Sequence, residues 1–480
     1  MHKVLLINPP DGQMIQGAIP AELGRDRMGK YPPLGLLYLA QCALKECPDT
    51  QVKILDAITD LLSCEDIEKQ IQAFRPDVVG VSVYTFTLPD ALAVARSSKK
   101  AAPDATVVFG GFHPSIYPKE TLLCSPHVDV AVAGEAEQSF PQLLARLFSG
   151  QSLSGIPGVS FKTEDGSLEV STEVPFIPDL NSLPFPDRTM VNYRDHVCIL
   201  GTDRLTTNIL SSRGCPFQCK YCYVNIRKYR LRSIESVLTE IRSCLDLGIG
   251  EFFFMDDLFN INKERVKEFS TRVLETKLDI RWNFRGRVDQ VDLETLDLAR
   301  RAGCTRIHFG VESGVPEVLK RVGKGTDLDM IRRAVAAARK AGIEVSSNIM
   351  IGLPDETPER TEQTIRFLLS LPTNYVQAAV FTPYPETPLY KEGLETGLLP
   401  NDYWREFALA PDPGFTPLIW GQYYTREEIF DKLRGLYRRF YFRPQTIIPY
   451  LKHLTSAKAF KGMMNNFITL LSLIFKTRSR

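Results

Sequence analysis

The chain alternates short apolar runs with amphipathic segments, and this alternation constrains its fold more than any other feature. Over the first 150 residues, each apolar run is followed by a helical pattern, which is typical of a doubly wound parallel sheet. The predicted strands, each ending in a turn rich in Gly, Pro or Ser, are Val4–Asn8, Val52–Asp56, Val78–Val83, Thr106–Phe109 and Val128–Ala133. Ligands of such sheets bind outside the carboxyl ends of the strands, which points to Ser82–Thr85, Gly110–His113 and Gly134–Glu137.

A second series of strand and helix patterns begins near residue 206. Its predicted strands are Thr206–Ser212, Glu251–Asp256, Ile280–Val288, Thr305–Glu312, Glu344–Ile351 and Val376–Thr382. Repeated units of this kind predict a partial (β/α)6 barrel, whose active site lies at the carboxyl ends of the strands.

The length of 480 residues exceeds what one ordinary core accommodates. We therefore predict an α/β domain over residues 1–150 and a barrel over residues 201–395. Between them, residues 151–200 contain several prolines and read as a linker with one hairpin at most. Residues 396–480 are predicted to form a small helical C-terminal extension.

The charge balance gives no reason to expect nucleic acid as a partner, because 58 Lys and Arg stand against 57 Asp and Glu. Met1 to Ile7 is a short apolar run that leads into a Pro-rich turn, so we interpret it as a buried strand rather than a signal peptide. We accordingly expect a cytoplasmic protein that acts on a small molecule.

Three of the ten cysteines stand close together, in the stretch Ser212 to Cys222 that follows the first barrel strand. Cys215, Cys219 and Cys222 would place three thiolates in one loop, which suits an iron-sulfur cluster or zinc. A structural zinc site needs a fourth ligand, and the nearest His and Cys, His196 and Cys198, precede the strand. We read the other seven cysteines as structural, and they are Cys42, Cys47, Cys64, Cys124, Cys198, Cys244 and Cys304.

The Cys-x3-Cys-x2-Cys spacing, with Tyr221 before the last cysteine, resembles the signature of the radical S-adenosylmethionine (SAM) superfamily. Later barrel motifs that resemble the same family are Met255-Asp256-Asp257, Arg285-Gly286-Arg287, Gly310-Val311-Glu312-Ser313, Gly352-Leu353-Pro354 and Pro383-Tyr384-Pro385-Glu386-Thr387-Pro388. The resemblance implies a 4Fe-4S cluster on the three cysteines, with one iron left for the amino and carboxylate groups of SAM.

The same resemblance implies roles for barrel side chains. Glu312 would hydrogen-bond the SAM ribose with Ser313 beside it, and Arg287 would approach the SAM carboxylate. Asp256 or Asp257 would stand near the amino group, although an ion pair or helix cap is an alternative for Arg287 and Asp257. Strand alternation places His308 in the lumen with Glu312, where it is either a core histidine or a proton donor or acceptor at the substrate.

A doubly wound domain before such a barrel resembles the cobalamin-binding group of this superfamily. The loops that carry this resemblance are Tyr31-Pro32-Pro33-Leu34-Gly35, Ser82 with Thr85, Gly110-Gly111-Phe112-His113-Pro114 and Gly134-Glu135-Ala136-Glu137. Where many cobalamin proteins carry Asp-x-His-x-x-Gly, this chain reads Asp56-Ala57-Ile58-Thr59-Asp60. Cobalt would therefore have no histidine ligand there, with His113 as a weaker alternative, and a scaffold domain without cobalamin is the other interpretation.

The resemblance implies reductive cleavage of SAM to a 5′-deoxyadenosyl radical, with an electron donor such as flavodoxin or ferredoxin. It favours methyl transfer to an unactivated carbon or to phosphorus of a small-molecule or lipid-like substrate. Radical ring formation, ring contraction or oxidation remains an alternative, as does a non-catalytic binding module.

The apolar stretch Met463–Phe475 is followed by Lys476, Arg478 and Arg480. Its 13 residues are too few to span a bilayer as a helix, which needs roughly 20. The stretch is expected either to pack on the barrel or to lie in a membrane interface.

Overall fold

A computed structural model describes residues 1–15, 17, 30–196 and 204–446 of the chain. The elements of its N-terminal part are β1 (His2–Asn8), α1 (Leu34–Glu46), β2 (Thr50–Asp56), α2 (Cys64–Phe74), β3 (Val78–Ser82), α3 (Leu88–Ala101), β4 (Thr106–Gly110), α4 (Phe112–Ile116), α5 (Pro118–Leu123), β5 (Val130–Val132), α6 (Ser139–Ser149), β6 (Val159–Lys162) and β7 (Leu168–Glu169).

The N-terminal sheet has the strand order β2-β1-β3-β4-β5-β6-β7. Strands β1 to β5 are parallel, which confirms the predicted doubly wound sheet. The hairpin predicted within residues 151–200 is β6–β7, and it pairs antiparallel with β5 at the edge of this sheet. The strand order reverses between β1 and β3, and ligands of such folds bind at the carboxyl ends of the strands beside this switch point.

The second part forms a six-stranded parallel sheet in the order β15-β14-β13-β12-β11-β8, which confirms the partial barrel. Its elements are β8 (Leu205–Ile209), β9 (Ser212–Arg213), β10 (Arg230–Leu231), α7 (Ile234–Asp246), β11 (Ile249–Phe254), α8 (Lys263–Glu275), β12 (Arg281–Gly286), α9 (Leu293–Arg301), β13 (Cys304–Glu312), α10 (Pro316–Arg321), α11 (Leu328–Lys340), β14 (Glu344–Ile351), α12 (Pro358–Ser370) and β15 (Tyr375–Val380).

Strand alternation sorts the barrel side chains into a helix-facing and a lumen-facing set. On β13, Ile307, Phe309 and Val311 lie in the apolar core between sheet and helices, as predicted. The side chains of the alternate residues on the same strand, including His308, therefore point into the lumen.

The helices that follow the barrel include α13 (Pro388–Glu395), α14 (Tyr403–Leu409) and α15 (Arg426–Tyr441). Helix α15 covers the edge strand β15, where the Tyr437 hydroxyl accepts a hydrogen bond from the Ala378 amide at 2.9 Å. No helix within the described residues is long and apolar enough to cross a membrane. The stretch Met463–Phe475 lies outside the described residues.

The carboxyl edges of the two sheets face each other. Tyr31, in the loop after β1, packs its ring 5.7 Å from Phe253 of β11. The Pro32 carbonyl accepts a hydrogen bond from Asn208 of β8 at 3.3 Å. After β3, Phe86 meets Tyr384, which follows β15, with ring centroids 5.9 Å apart. A ligand held at either edge therefore lies next to the other.

Candidate active site

The cysteine loop follows β9, and backbone contacts hold it at Lys220, between its second and third cysteines. Lys220 donates its amide to the Val322 carbonyl at 2.9 Å and accepts the amide of Leu389 at 3.1 Å. At the start of the loop Gly214 has φ of 83°, and a β-carbon there would lie 2.5 Å from the Lys228 carbonyl oxygen. Only glycine fits this turn, which sets the direction in which Cys215 leaves the strand.

The three thiols of the loop lie close enough to influence one another. Burial, together with the neighbouring Cys219 and Cys215, raises the pKa of Cys222 to about 12. Burial likewise raises the pKa of Cys215. Within the described residues no three His, Cys, Asp or Glu side chains converge on a single metal ion. A cubane binds each thiolate through a different iron, so it needs wider spacing than one ion does, and the chemistry of this donor set fits a 4Fe-4S cluster.

Asp256 and Asp257 accept hydrogen bonds from the segment that leads into the cysteine loop. Asp256 is fully buried and accepts hydrogen bonds from the Ser211 amide at 2.7 Å and from the Ser212 hydroxyl at 2.8 Å. Asp257 accepts the Gly214 amide at 3.1 Å. Burial raises the pKa of both carboxyl groups. The structure therefore commits these two residues, predicted as SAM contacts, to the loop backbone.

Glu312 and Lys324 form a buried ion pair beside the cysteine loop. The Lys324 ammonium donates to Glu312 Oε1 at 2.7 Å and to the Tyr221 hydroxyl at 3.3 Å. Glu312 has φ of 63°, a left-handed conformation that costs energy in a residue with a side chain and is common at functional sites. A β-carbon on Gly310 would lie 2.7 Å from Lys324 Nζ, so the glycine leaves room for the pair.

Arg287 ties the cysteine loop to the loop that carries Lys324. Its guanidinium lies 3.7 Å from the ring centre of Phe217, between the first two cysteines. It pairs with Asp289 at 2.9 Å and donates to the Lys324 carbonyl at 3.2 Å. These contacts favour the ion-pair alternative for Arg287, while leaving Lys324 as the cation nearest to Glu312.

Ser313 takes part in a buried chain of hydrogen bonds between the ends of β13 and β14. Its hydroxyl lies 3.1 Å from the Thr364 hydroxyl, which donates to Glu356 at 3.0 Å. Glu356 also accepts the Gly352 amide at 2.7 Å. Burial raises the pKa of Glu356 to about 7. Ser313 thus fixes the turn after Glu312.

The carboxyl edge of the N-terminal sheet presents an exposed aromatic pair next to the switch point. Tyr84 follows β3 and stacks on Phe112, which follows β4, with ring centroids 5.4 Å apart. Both rings are exposed, and Ser82 and Thr85 lie partly exposed beside them. An open apolar platform with hydroxyl groups at its rim fits a flat macrocycle with polar side chains, such as a corrin.

Gly110 and Gly111 bring β4 close to this platform. Gly111 has φ of 115°, and a β-carbon there would lie 2.9 Å from the Val83 carbonyl oxygen. The next but one residue, His113, is fully buried, and its Nδ1 lies 3.1 Å from the Thr85 hydroxyl. Burial lowers the pKa of His113 to about 3. The structure therefore keeps this neutral imidazole below the surface on which a ligand would rest.

Asp56, where the histidine motif is missing, has a histidine partner from another part of the chain. His196 Nε2 lies 3.4 Å from its carboxylate, and Asn8 donates to it at 2.7 Å. Burial opposes ionisation of Asp56, but the hydrogen bonds from His196, Thr59 and Asn8 outweigh it and lower its pKa. The His196 side chain is fully buried, so it serves the contact between β2 and the linker.

Glu135 and Glu137, predicted as cobalamin contacts, form ion pairs between the two domains. Glu135 receives two hydrogen bonds from Arg230, at 2.7 and 2.8 Å, and Glu137 receives one from Arg213 at 2.5 Å. Gly134 precedes them and has φ of 74°. A β-carbon there would lie 2.5 Å from the Pro175 carbonyl oxygen, so a larger residue does not fit. This loop therefore attaches the N-terminal sheet to the start of the cysteine loop.

His308 lies deeper in the lumen, with its ring centre 5.3 Å from that of Phe253. Burial, with help from Arg306 and Arg285, lowers its pKa to about 3. The imidazole is thus neutral at physiological pH, and it lies on the same wall as the Glu312 ion pair.

Fold and site together define an enzyme class in which a three-cysteine cluster loop on a partial barrel faces a ligand-binding doubly wound domain. Family models agree with both halves. Residues 209–368 match the radical SAM superfamily, and residues 23–144 match the B12 binding domain.

The chain is similar to several known proteins over nearly its whole length. It is 33% identical over 453 residues to a protein of Pyrococcus horikoshii named as an uncharacterized methyltransferase, covering 93% of this chain and 94% of that one. It is 26% identical over 454 residues to the anaerobic magnesium-protoporphyrin IX monomethyl ester cyclase of Rubrivivax gelatinosus, covering 93% and 80%. The chain belongs to the radical SAM enzymes that carry an N-terminal cobalamin-binding domain.

Among solved structures, the fold matches the cobalamin-dependent radical SAM enzyme OxsB with aqua-cobalamin and SAM bound. The TM-score is 0.71 at 16% identity, covering 98% of this chain and 72% of that one. The cofactors that the family implies are therefore a 4Fe-4S cluster, SAM and cobalamin.

Sequence reasoning missed Lys324 and the two arginines that bind Glu135 and Glu137. Lys324 stands between Gly323 and Gly325, which have φ of 68° and 69°. A lysine flanked by two glycines after a barrel helix is the sequence signal of close backbone approach that could have identified it. The partners of Arg213 and Arg230 lie 76 and 95 residues away, and no local pattern indicates them.

Proposed function

We propose that this enzyme transfers a methyl group to an unactivated carbon, or to phosphorus, of a small-molecule or lipid-like substrate. The observation that carries the proposal is the ion pair between Arg213 and Glu137. Arg213 lies two residues before the first cluster cysteine, and Glu137 lies on the cobalamin-side edge. A substrate between the two edges would be within reach of both cofactors.

Cys215, Cys219 and Cys222 would hold the cluster in this proposal. Glu312 would accept hydrogen bonds from the SAM ribose, and Lys324, 2.7 Å from it, would neutralise the SAM carboxylate. When bound, the reduced cluster supplies the electron that cleaves SAM, and cobalamin carries the methyl group. The chain itself positions the reactants and excludes water from the closed lumen.

On the other side, the exposed rings of Tyr84 and Phe112 would support the corrin, with Ser82 and Thr85 at its edge. His113 would stay beneath the platform, so cobalt would have no protein imidazole ligand. His308, neutral in the lumen, is proposed as a hydrogen-bonding partner of the substrate.

Radical ring formation is the second candidate, because the cyclase relative aligns with 93% of this chain. The two functions differ in what becomes of SAM. Methyl transfer yields both S-adenosylhomocysteine and 5′-deoxyadenosine, whereas ring formation yields 5′-deoxyadenosine without the homocysteine product.

A product assay tests the proposal. Anaerobically reconstituted enzyme is incubated with reductant, cobalamin and SAM carrying a labelled methyl group, in the presence of a metabolite extract. Both products and a labelled acceptor are expected. The Glu312→Gln variant should bind SAM about 10- to 100-fold more weakly, because a charged hydrogen-bond acceptor contributes about 1.5–3 kcal/mol. Deoxyadenosine alone would favour ring formation or oxidation.

We further propose that a flavodoxin or ferredoxin reduces the cluster in the cytoplasm and that the C-terminal stretch touches the membrane peripherally. The support for membrane contact is the apolar stretch Met463–Phe475 with three cations after it. Wild type should sediment with anionic liposomes, while a chain ending near Ala457 should not. If both stay in solution, the membrane contact and the lipid-like substrate lose their support.

A further inference from the structure

Arg285 is a cation in the barrel lumen that has no counter-ion among the residues the structure describes. It lies on β12 opposite His308 of β13, and its guanidinium is exposed and 5.4 Å from the ring centre of Phe253. Phe253 in turn contacts Tyr31 from the N-terminal domain. Arg285 thus faces the space between the two carboxyl edges.

Three other basic side chains of the barrel interior have acidic partners. Arg287 pairs with Asp289, Arg306 with Glu344, and Lys324 with Glu312. Within the described residues, neither an ion pair nor a hydrogen bond joins the Arg285 guanidinium to another side chain or to the backbone. The residue is exposed, so an anion that enters the space between the two edges can reach the guanidinium.

A second unpaired polar group lies on the same strand and face. Asn283 is buried, and its side-chain amide nitrogen has no hydrogen-bond partner. Buried donors are almost always satisfied in native proteins, so an orphan donor in a lumen indicates a missing ligand atom. The Arg285 guanidinium and the unpaired Asn283 amide nitrogen are both donors, which suits an acceptor group with negative charge.

We propose that Arg285 binds an oxyanion of the substrate, either a carboxylate or a phosphoryl group, with Asn283 below it. This rests on the proposed function and names its substrate class as anionic. The other source of an oxyanion is the carboxylate of SAM itself. Lys324, which contacts Tyr221 of the cysteine loop, is better placed for that carboxylate than Arg285 is.

Binding of simple anions to the full-length holoenzyme tests the proposal without requiring the substrate. Inorganic phosphate and propionate are titrated calorimetrically into wild type, Arg285→Gln and Arg285→Lys. One of the two anions should bind wild type more tightly than the other. That anion should bind Arg285→Gln at least about tenfold more weakly than wild type, and Arg285→Lys with intermediate affinity. Arg281→Gln, at the opposite end of the same strand, removes the same charge and should behave as wild type.

Equal affinity in wild type and Arg285→Gln would overturn the proposal, as would wild type that binds neither anion. Iron and cobalamin contents equal to wild type show that the variant is folded. Equilibrium dialysis of SAM separates the two sources, because SAM affinity should be unchanged in Arg285→Gln. A loss of SAM affinity by the same factor as the anion would mean that Arg285 binds the cofactor, which would also overturn the proposal. If the proposed methyl transfer is wrong, the result differs from these outcomes. Wild type would then still bind the anion but would form no S-adenosylhomocysteine.

Discussion

Arg213 Nη2 lies 2.5 Å from Glu137 Oε1, and this bond joins the strand before the cluster loop to the loop after β5 of the N-terminal sheet. Arg213 also lies 3.6 Å from Glu135, which Arg230 binds on its other side. Two arginines of the barrel and two carboxylates of the N-terminal sheet thus form one largely buried network. This network fixes the loop after β5 against the two ends of the segment that contains the cluster loop.

Removing one member of the network should be costly. Arg213→Met leaves the Glu137 carboxylate buried without a partner, and such a change costs about 3–5 kcal/mol of unfolding free energy. The double variant Arg213→Met with Glu137→Met should lose less than the sum of the two single variants. Denaturant titration of the cofactor-free protein measures this, and additive losses would contradict the coupling.

The cluster should depend on the three loop cysteines together. Replacing Cys215, Cys219 and Cys222 with Ala should abolish the iron-sulfur absorption and reduce bound iron from about four atoms to background, because these three thiolates would bind the cluster. Cys64→Ala is the matched control, since Cys64 begins a helix on the N-terminal domain and should leave iron binding intact. A cluster that survives in the triple variant would overturn the assignment.

Glu356 should make stability depend on pH. The pKa of its carboxyl group is about 7 in the folded state, above the ordinary value of 4.5. Between these two pH values the folded state keeps the proton and the unfolded state has lost it. Rising pH therefore lowers stability, by about 3 kcal/mol once both states are ionised. Glu356→Gln should raise the melting temperature at pH 8 and have little effect near pH 4. An equal effect at both pH values would exclude this explanation.

Cobalamin should bind without a histidine nitrogen on cobalt. His113 is fully buried and hydrogen-bonded to Thr85, and His196 is occupied by Asp56. Electron paramagnetic resonance of the cob(II)alamin form of the full-length protein should show no nitrogen superhyperfine splitting. Splitting that disappears in His113→Phe would show that the helix containing His113 rearranges on binding.

The strands that position the site were predictable because parallel sheets leave a strong apolar pattern. Every strand predicted for the barrel is present, and Ile307, Phe309 and Val311 face the helices as alternation requires. The cysteine spacing was equally readable, since one loop contains all three ligands.

The partners of polar side chains were not predictable in the same way. Asp256, Glu135 and Glu137 stand in motifs that suggested ligand contacts, and the motifs gave no sign of the long-range hydrogen bonds that these side chains also make. The backbone of Glu312 adopts a left-handed conformation after a register shift on β13, and only the folded strands bring Lys324 onto it. Such pairings depend on tertiary packing rather than on local periodicity.

The central claim is that both cofactors serve one reaction between the facing edges. It is tested most directly by incubating the reconstituted enzyme with SAM labelled in its methyl group and following S-adenosylhomocysteine, 5′-deoxyadenosine and the acceptor together. We expect the enzyme to form both nucleoside products and a labelled anionic acceptor. Without cobalamin, S-adenosylhomocysteine and the labelled acceptor should be absent, while 5′-deoxyadenosine should still form. Labelled acceptor formed equally well without cobalamin, or by the triple cysteine variant, would contradict the central claim.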